Sequence, residues 1–63
     1  MLSENLKRIR IEQRYNRKQL ARESGVSSAT IQFIENGTID NPKIKTVLAL
    51  AKVLKVPIAT LIK

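Results

Sequence analysis

Residues 17–36 read RKQLARESGVSSATIQFIEN, and the punctuation of this stretch decides the fold. Asn16, just upstream, is a residue type whose side chain caps helix N-termini, so a short helix is expected over residues 17–23. Gly25 tolerates the positive φ needed beyond a helix end and closes that helix. Ser27 is the next capping residue, and it opens a further helix over residues 28–35 whose inner side is marked by Ile31 and Ile34. Two short helices that cross at about 90–120° need a small residue where their backbones approach and a glycine where the chain reverses. Ala21, beside Leu20, and Gly25, before Val26, supply both. With successive helical residues about 100° apart, turning Ile31 and Ile34 inward turns Ala29, Gln32 and Phe33 outward, with Ser28 at the border.

Upstream, Leu2, Leu6 and Ile9 fall at i, i+4 and i+7, which predicts a helix over residues 3–13 with Ser3 as its N-cap. Downstream, Asn36 and Gly37 end the helix of residues 28–35, and residues 38–42 form a loop in which Pro42 prepares the next start. Ile44, Val47, Leu48, Ala51 and Leu54 then trace an apolar stripe at helical spacing over residues 44–54. Pro57 suits the start of a last short helix over residues 58–62, through Ile58, Leu61 and Ile62. Five helices and no strands make an all-α, compact bundle. Without a linker, repeat or low-complexity tract, residues 1–63 are expected to form a single domain.

Composition narrows the function. A chain of 63 residues buries only about 60% of the surface its unfolded form exposes, so packing has little to spare. There is no cysteine, hence no disulfide staple and no conflict with a reducing compartment. Histidine is also absent, and the five acids are scattered over separate helices. No nucleophile with its base, metal shell or cofactor cradle can be assembled from them, and an enzyme is excluded. Twelve Lys and Arg against five acids give a net charge of +7, which biases the partner towards a polyanion. Tyr15 and Phe33 are the only aromatics, too few to stack unpaired bases, so duplex recognition is favoured over single strands. The apolar run at residues 47–51 is broken by Lys52, far short of the roughly 20 residues that span a bilayer. Glu4, Lys7, Arg8 and Arg10 leave no apolar stretch for a secretory signal, so a cytoplasmic location is expected.

Taken together, Leu6, Arg10, Leu20-Ala21, Gly25-Val26-Ser27, Ile31, Ile34-Glu35-Asn36-Gly37, Pro42, Leu48, Ala51, Leu54, Val56 and Leu61 resemble the Cro and phage-repressor family of helix-turn-helix proteins. The resemblance covers nearly the whole chain and implies a lambda-repressor-like fold. It further implies a sequence-specific, double-stranded-DNA-binding regulator of prokaryotic or phage type. In that family the helix matching residues 28–35 enters the major groove while the preceding helix meets the backbone. The chemistry here agrees. Gln32 can pair bidentately with adenine, Ser28 can hydrogen-bond several bases, and Ala29 and Phe33 offer apolar contact to a thymine methyl group. Arg17 and Lys18 begin a helix whose free N–H groups add to their charge, so a phosphate is expected there, with Ser27 also on the backbone. Lys43 and Lys45 match positions from which the family touches the flanking backbone or minor groove. The resemblance also implies a salt bridge between Arg10 and Glu35. Against the family's pattern, Arg14 and Lys55 stand where glycine often follows a helix, and each is expected in a left-handed conformation at a cost of roughly 1 kcal/mol. Gln13 and Ser24 occupy positions that suit larger aliphatic groups, and Ile11 and Val53 point outward as candidate interface residues.

The expected mechanism is a homodimer on a roughly palindromic operator, with no membrane and no small-molecule ligand involved. The rival reading is a helical protein-interaction or antitoxin-like module with weak or no DNA binding. A basic, polar face at Arg17, Lys18, Ser28 and Gln32 argues against it, because a partner-binding face exposes a contiguous apolar patch. The last helix runs up to Lys63, which favours the reading head of a longer repressor over a complete small regulator.

Overall fold

The computed structural model describes all 63 residues and contains five α-helices: α1 (Leu2–Glu12), α2 (Arg17–Ser24), α3 (Ser28–Glu35), α4 (Ile44–Leu54) and α5 (Ile58–Ile62). Local chemistry sets most of these ends. The Asn16 side chain accepts from the Gln19 N–H at 2.7 Å while the Gln19 side chain accepts from the Asn16 N–H at 2.9 Å, a reciprocal cap that starts α2. Gly25 ends it with φ +78° and returns its N–H to the Ala21 carbonyl at 2.9 Å. Ser27 caps α3 by accepting from the Thr30 N–H at 3.1 Å.

Three boundaries differ from expectation. α1 starts at Leu2 with Met1 as its N-cap, so Ser3 lies inside the helix, and it closes at Glu12 with Gln13 as the capping residue. The Met1 carbonyl accepts from the Asn5 N–H at 2.9 Å, which closes the first turn without a side-chain cap and brings Leu2 against the core. α2 runs one residue further, to Ser24. α5 spans Ile58–Ile62 as expected, with Pro57 at its N-cap and the Pro57 carbonyl accepting from the Thr60 N–H.

All five helices contribute to one core of Leu6, Ile9, Leu20, Ile31, Ile34, Val47, Leu50, Ala51, Leu54 and Leu61. α3 packs on α1 and α2, α4 packs on α2 and α5, and α5 also rests on α1. The inner stripe of α4 is Val47, Leu50, Ala51 and Leu54. Ile44 and Leu48, expected on that stripe, are 62% and 50% exposed instead. Leu48 falls beside the i, i+3, i+4, i+7 face centred on Leu50 and Ala51, and Ile44 lies at the helix's open first turn.

The polar residues at aliphatic-looking positions turn out to be ties. Gln13 Nε2 donates to the Leu54 carbonyl at 2.6 Å, joining the end of α1 to the end of α4, and the Ser24 hydroxyl accepts from the Val26 N–H at 3.2 Å. Arg14 and Lys55 do adopt positive φ, 63° and 58°. Ile11 is exposed as expected, but Val53 is half-buried against the core. No helix is long and apolar enough to cross a membrane.

Candidate nucleic-acid interface

α3 has two unlike sides. Ile31 and Ile34 are fully buried, whereas Ala29, Gln32 and Phe33 are exposed, with Ser28 half-buried between the two sides. A helix of eight residues has little intrinsic stability, so its orientation must come from what grips its inner face. Part of that grip is ionic. Arg10 Nε and Nη2 donate to the two carboxylate oxygens of Glu35 at 2.7 and 3.1 Å, and Nη1 donates to the Tyr15 carbonyl at 2.8 Å. Such a fork–fork pair is both strong and directional.

A second arginine reaches the same acid. Arg17 Nε donates to Glu35 Oε1 at 3.2 Å, and its terminal nitrogens form no hydrogen bond within the protein. One carboxylate, only 1% exposed, thus ties α1, α2 and α3 together. Sequence spacing gives no sign of this link, because residues eighteen positions apart meet only through the fold.

The remaining residues expected at the backbone are Lys18, Ser27, Lys43 and Lys45, and all four are exposed. The Ser27 hydroxyl is engaged locally, donating to Thr30 Oγ1 at 2.8 Å while capping the helix, so it has no spare proton for a phosphate oxygen. Lys43 stands at the N-cap of α4 and Lys45 in its first turn. The loop leading to them is fastened to α3 by the Ile39 N–H, which donates to the Phe33 carbonyl at 3.0 Å, and by the Thr38 N–H on the Asn36 side chain at 2.9 Å.

The charge pattern at the helix starts is unusual. α2, α3 and α4 carry no acid in their first turns, while the starts of α2 and α4 carry cations. Helix N-termini are already positive, so acids are favoured there and cations cost free energy unless an external anion arrives. Elsewhere Tyr15 donates to Glu23 at 3.0 Å. That hydrogen bond, with partial desolvation and the carboxylate's charge, holds the phenol above its ordinary value of 10.0. This contact braces the turn between α1 and α2.

A family model described as helix-turn-helix matches residues 6–61. The chain belongs to that family. Among relatives of this helix-turn-helix chain, the HTH-type transcriptional regulator RghRB of Bacillus subtilis (strain 168) is 48% identical over 54 residues, covering 86% of this chain and 39% of that protein. The cryptic phage CTXphi transcriptional repressor RstR of Vibrio cholerae is 39% identical over 62 residues, covering 98% of this chain and 55% of that one. The chain therefore spans about half the length of the curated relatives it matches. A crystal structure of SinR, the master regulator for biofilm formation, in complex with DNA superposes with a TM-score of 0.95 at 30% identity, covering 100% of both chains. The helix-turn-helix relatives are regulators, not enzymes.

Proposed function

We propose that residues 1–63 are one reading domain of a transcriptional regulator, a repressor that works in the cytoplasm by occupying double-stranded DNA. α3 lies in the major groove with Gln32 on an adenine edge, Ser28 on a neighbouring base, and Ala29 and Phe33 against thymine methyl groups. Arg17, Lys18, Lys43 and Lys45 bind phosphates, and Ser27 contributes through its backbone N–H. The observation that carries this reading is the acid-free, cation-bearing start of α2 and α4, the helices that precede and follow the outward-facing α3 in the chain. That arrangement is unfavourable in the free protein and is relieved by a polyanion. The DNA complex of its structural neighbour SinR supports the same reading.

Two copies act together on a palindromic site, their recognition helices about 34–36 Å apart. Ile44, Leu48 and Ile62 remain exposed on α4 and α5; Ile44 and Ile62 line a groove with Met1, Leu2, Asp40 and Pro42, and Leu48 lies one helical turn beyond Ile44. A second copy of the chain is the occupant this face fits. The patch is much smaller than the roughly 20–30 residues per side of a standard interface, and two chains of charge +7 repel. Association therefore waits for DNA to neutralise them.

Selection of bound duplexes from a random pool tests the whole reading. The expected product is an A·T-containing inverted repeat with half-sites one helical turn apart. Recovery of no enriched sequence, with no mobility shift on any duplex, would return the chain to a protein-interaction role.

A further inference from the structure

We infer that Arg17 is a pre-aimed phosphate clamp, held by Glu35 so that the phosphate it grips is mechanically tied to the recognition helix. The inference rests on the DNA-binding reading above and assigns one of its contacts a role that charge alone does not supply.

Glu35 does not need Arg17. Arg10 already occupies both carboxylate oxygens and satisfies its third nitrogen on the Tyr15 carbonyl, in a setting where the two side chains are 9% and 1% exposed. Arg17 is a surplus cation, 41% exposed, in the first position of a helix whose positive end already disfavours it. The cluster of two guanidinium groups and one carboxylate carries a net charge of +1. An anion approaching the start of α2 resolves that imbalance, and the two terminal nitrogens of Arg17 remain for it while Nε stays on Glu35.

A guanidinium can serve both sides at once, because its donors form a rigid planar fork. An ammonium group cannot present one edge to Glu35 and another to a phosphate in fixed geometry. Glu35 is also the last residue of α3. The phosphate held by Arg17 is thus linked through one side-chain contact to the helix that faces the bases. Phosphate contacts set the register of a protein on the duplex. Arg17 is accordingly a register-setting residue, Glu35 its positioning residue, and Lys18, exposed and unpaired, only an added charge.

Charge-conserving swaps separate these roles. The affinities of Arg17→Lys and of the control Lys7→Arg are measured against a duplex selected by the wild-type chain and against an unselected duplex of equal length, over a salt series. Arg17→Lys is expected to lose about tenfold on the selected duplex and less than about threefold on the unselected one, with an unchanged salt slope because net charge is kept. Lys7→Arg, a swap at an exposed position of α1 outside the proposed interface, is expected to change neither. Equal losses on both duplexes, or none, would overturn the assignment.

Because Arg10 still satisfies Glu35, Arg17→Lys should remain folded. A second measurement on the wild-type chain makes the test independent of that variant. The Arg17 Nε–H resonance is expected to exchange slowly with water in the free protein and to shift when the selected duplex is added. Rapid exchange, or no shift on saturation, contradicts the proposal. A wild-type chain that binds no duplex removes the DNA-binding reading and this one with it, whereas wild-type binding with a neutral Arg17→Lys removes this one alone.

Discussion

Glu35 receives hydrogen bonds from two arginines, but they are not equivalent. Arg10 is buried beside it and supplies two of the three bonds. Arg10→Met leaves a carboxylate in the interior with one long, half-exposed partner, and stranding such a charge costs about 3–5 kcal/mol. In a domain this small, each kcal/mol moves the melting midpoint by about 4–8 °C. Calorimetry should therefore find the midpoint lowered by more than about 10 °C. An unchanged midpoint would mean that the ion pair contributes nothing to holding α3. On the outer side the division of labour is different. Gln32→Ala should relax preference at one base position by about 1–3 kcal/mol, whereas Lys18→Ala should weaken selected and random duplexes alike and reduce the salt slope by about one unit. Mobility shifts on the two duplexes distinguish these outcomes.

Helix ends are where the elements store and lose stability. α4 ends on Lys55 at φ 58° and ψ 41°, a left-handed conformation that a side chain resists. Lys55→Gly should stabilise the fold by roughly 1 kcal/mol, seen as a rise of about 4–8 °C in the melting midpoint. A fall would show that the Lys55 side chain holds something of greater value than the relief of strain. Asn16→Ala removes one half of the reciprocal cap on α2 and should cost about 1 kcal/mol by the same measurement. These termini were legible in sequence because Asn16, Gly25 and Ser27 act on their immediate neighbours. The start of α1 was not, because a main-chain acceptor at Met1 replaces the expected Ser3 cap. The inner face of α4 was also misjudged at Leu48, since Leu48 and Leu50 are equally apolar and only the packing of α2 and α5 chooses between them. Within the candidate site, the outward side of α3 followed from Ile31 and Ile34, and Arg10 with Glu35 followed from resemblance. The bond from Arg17 to Glu35 joins the first residue of α2 to the last of α3, and the turn at Gly25 sets how the two helices cross without specifying which of their side chains meet.

At the scale of the molecule, the proposed function depends on what two copies do that one cannot. The exposed Ile44, Leu48 and Ile62 are few for a dimer free in solution, yet on the proposed paired site DNA would bring two copies to adjoining half-sites, where a weak contact acts at high effective concentration. Leu48→Lys should leave binding to a single half-site unchanged while weakening binding to the paired site by about tenfold. Equal affinity of wild type and variant for the paired site would place the contact elsewhere.

The Met1 ammonium donates to the Lys63 carbonyl at 3.1 Å, so the polypeptide very nearly forms a ring. A short peptide bridging those two points would convert it into one without displacing any helix, and would restrict the denatured ensemble in the way a cross-link does. By the same geometry, sequences fused to either end leave from one corner of the domain. An added module would therefore swing from a single pivot, whichever end carried it.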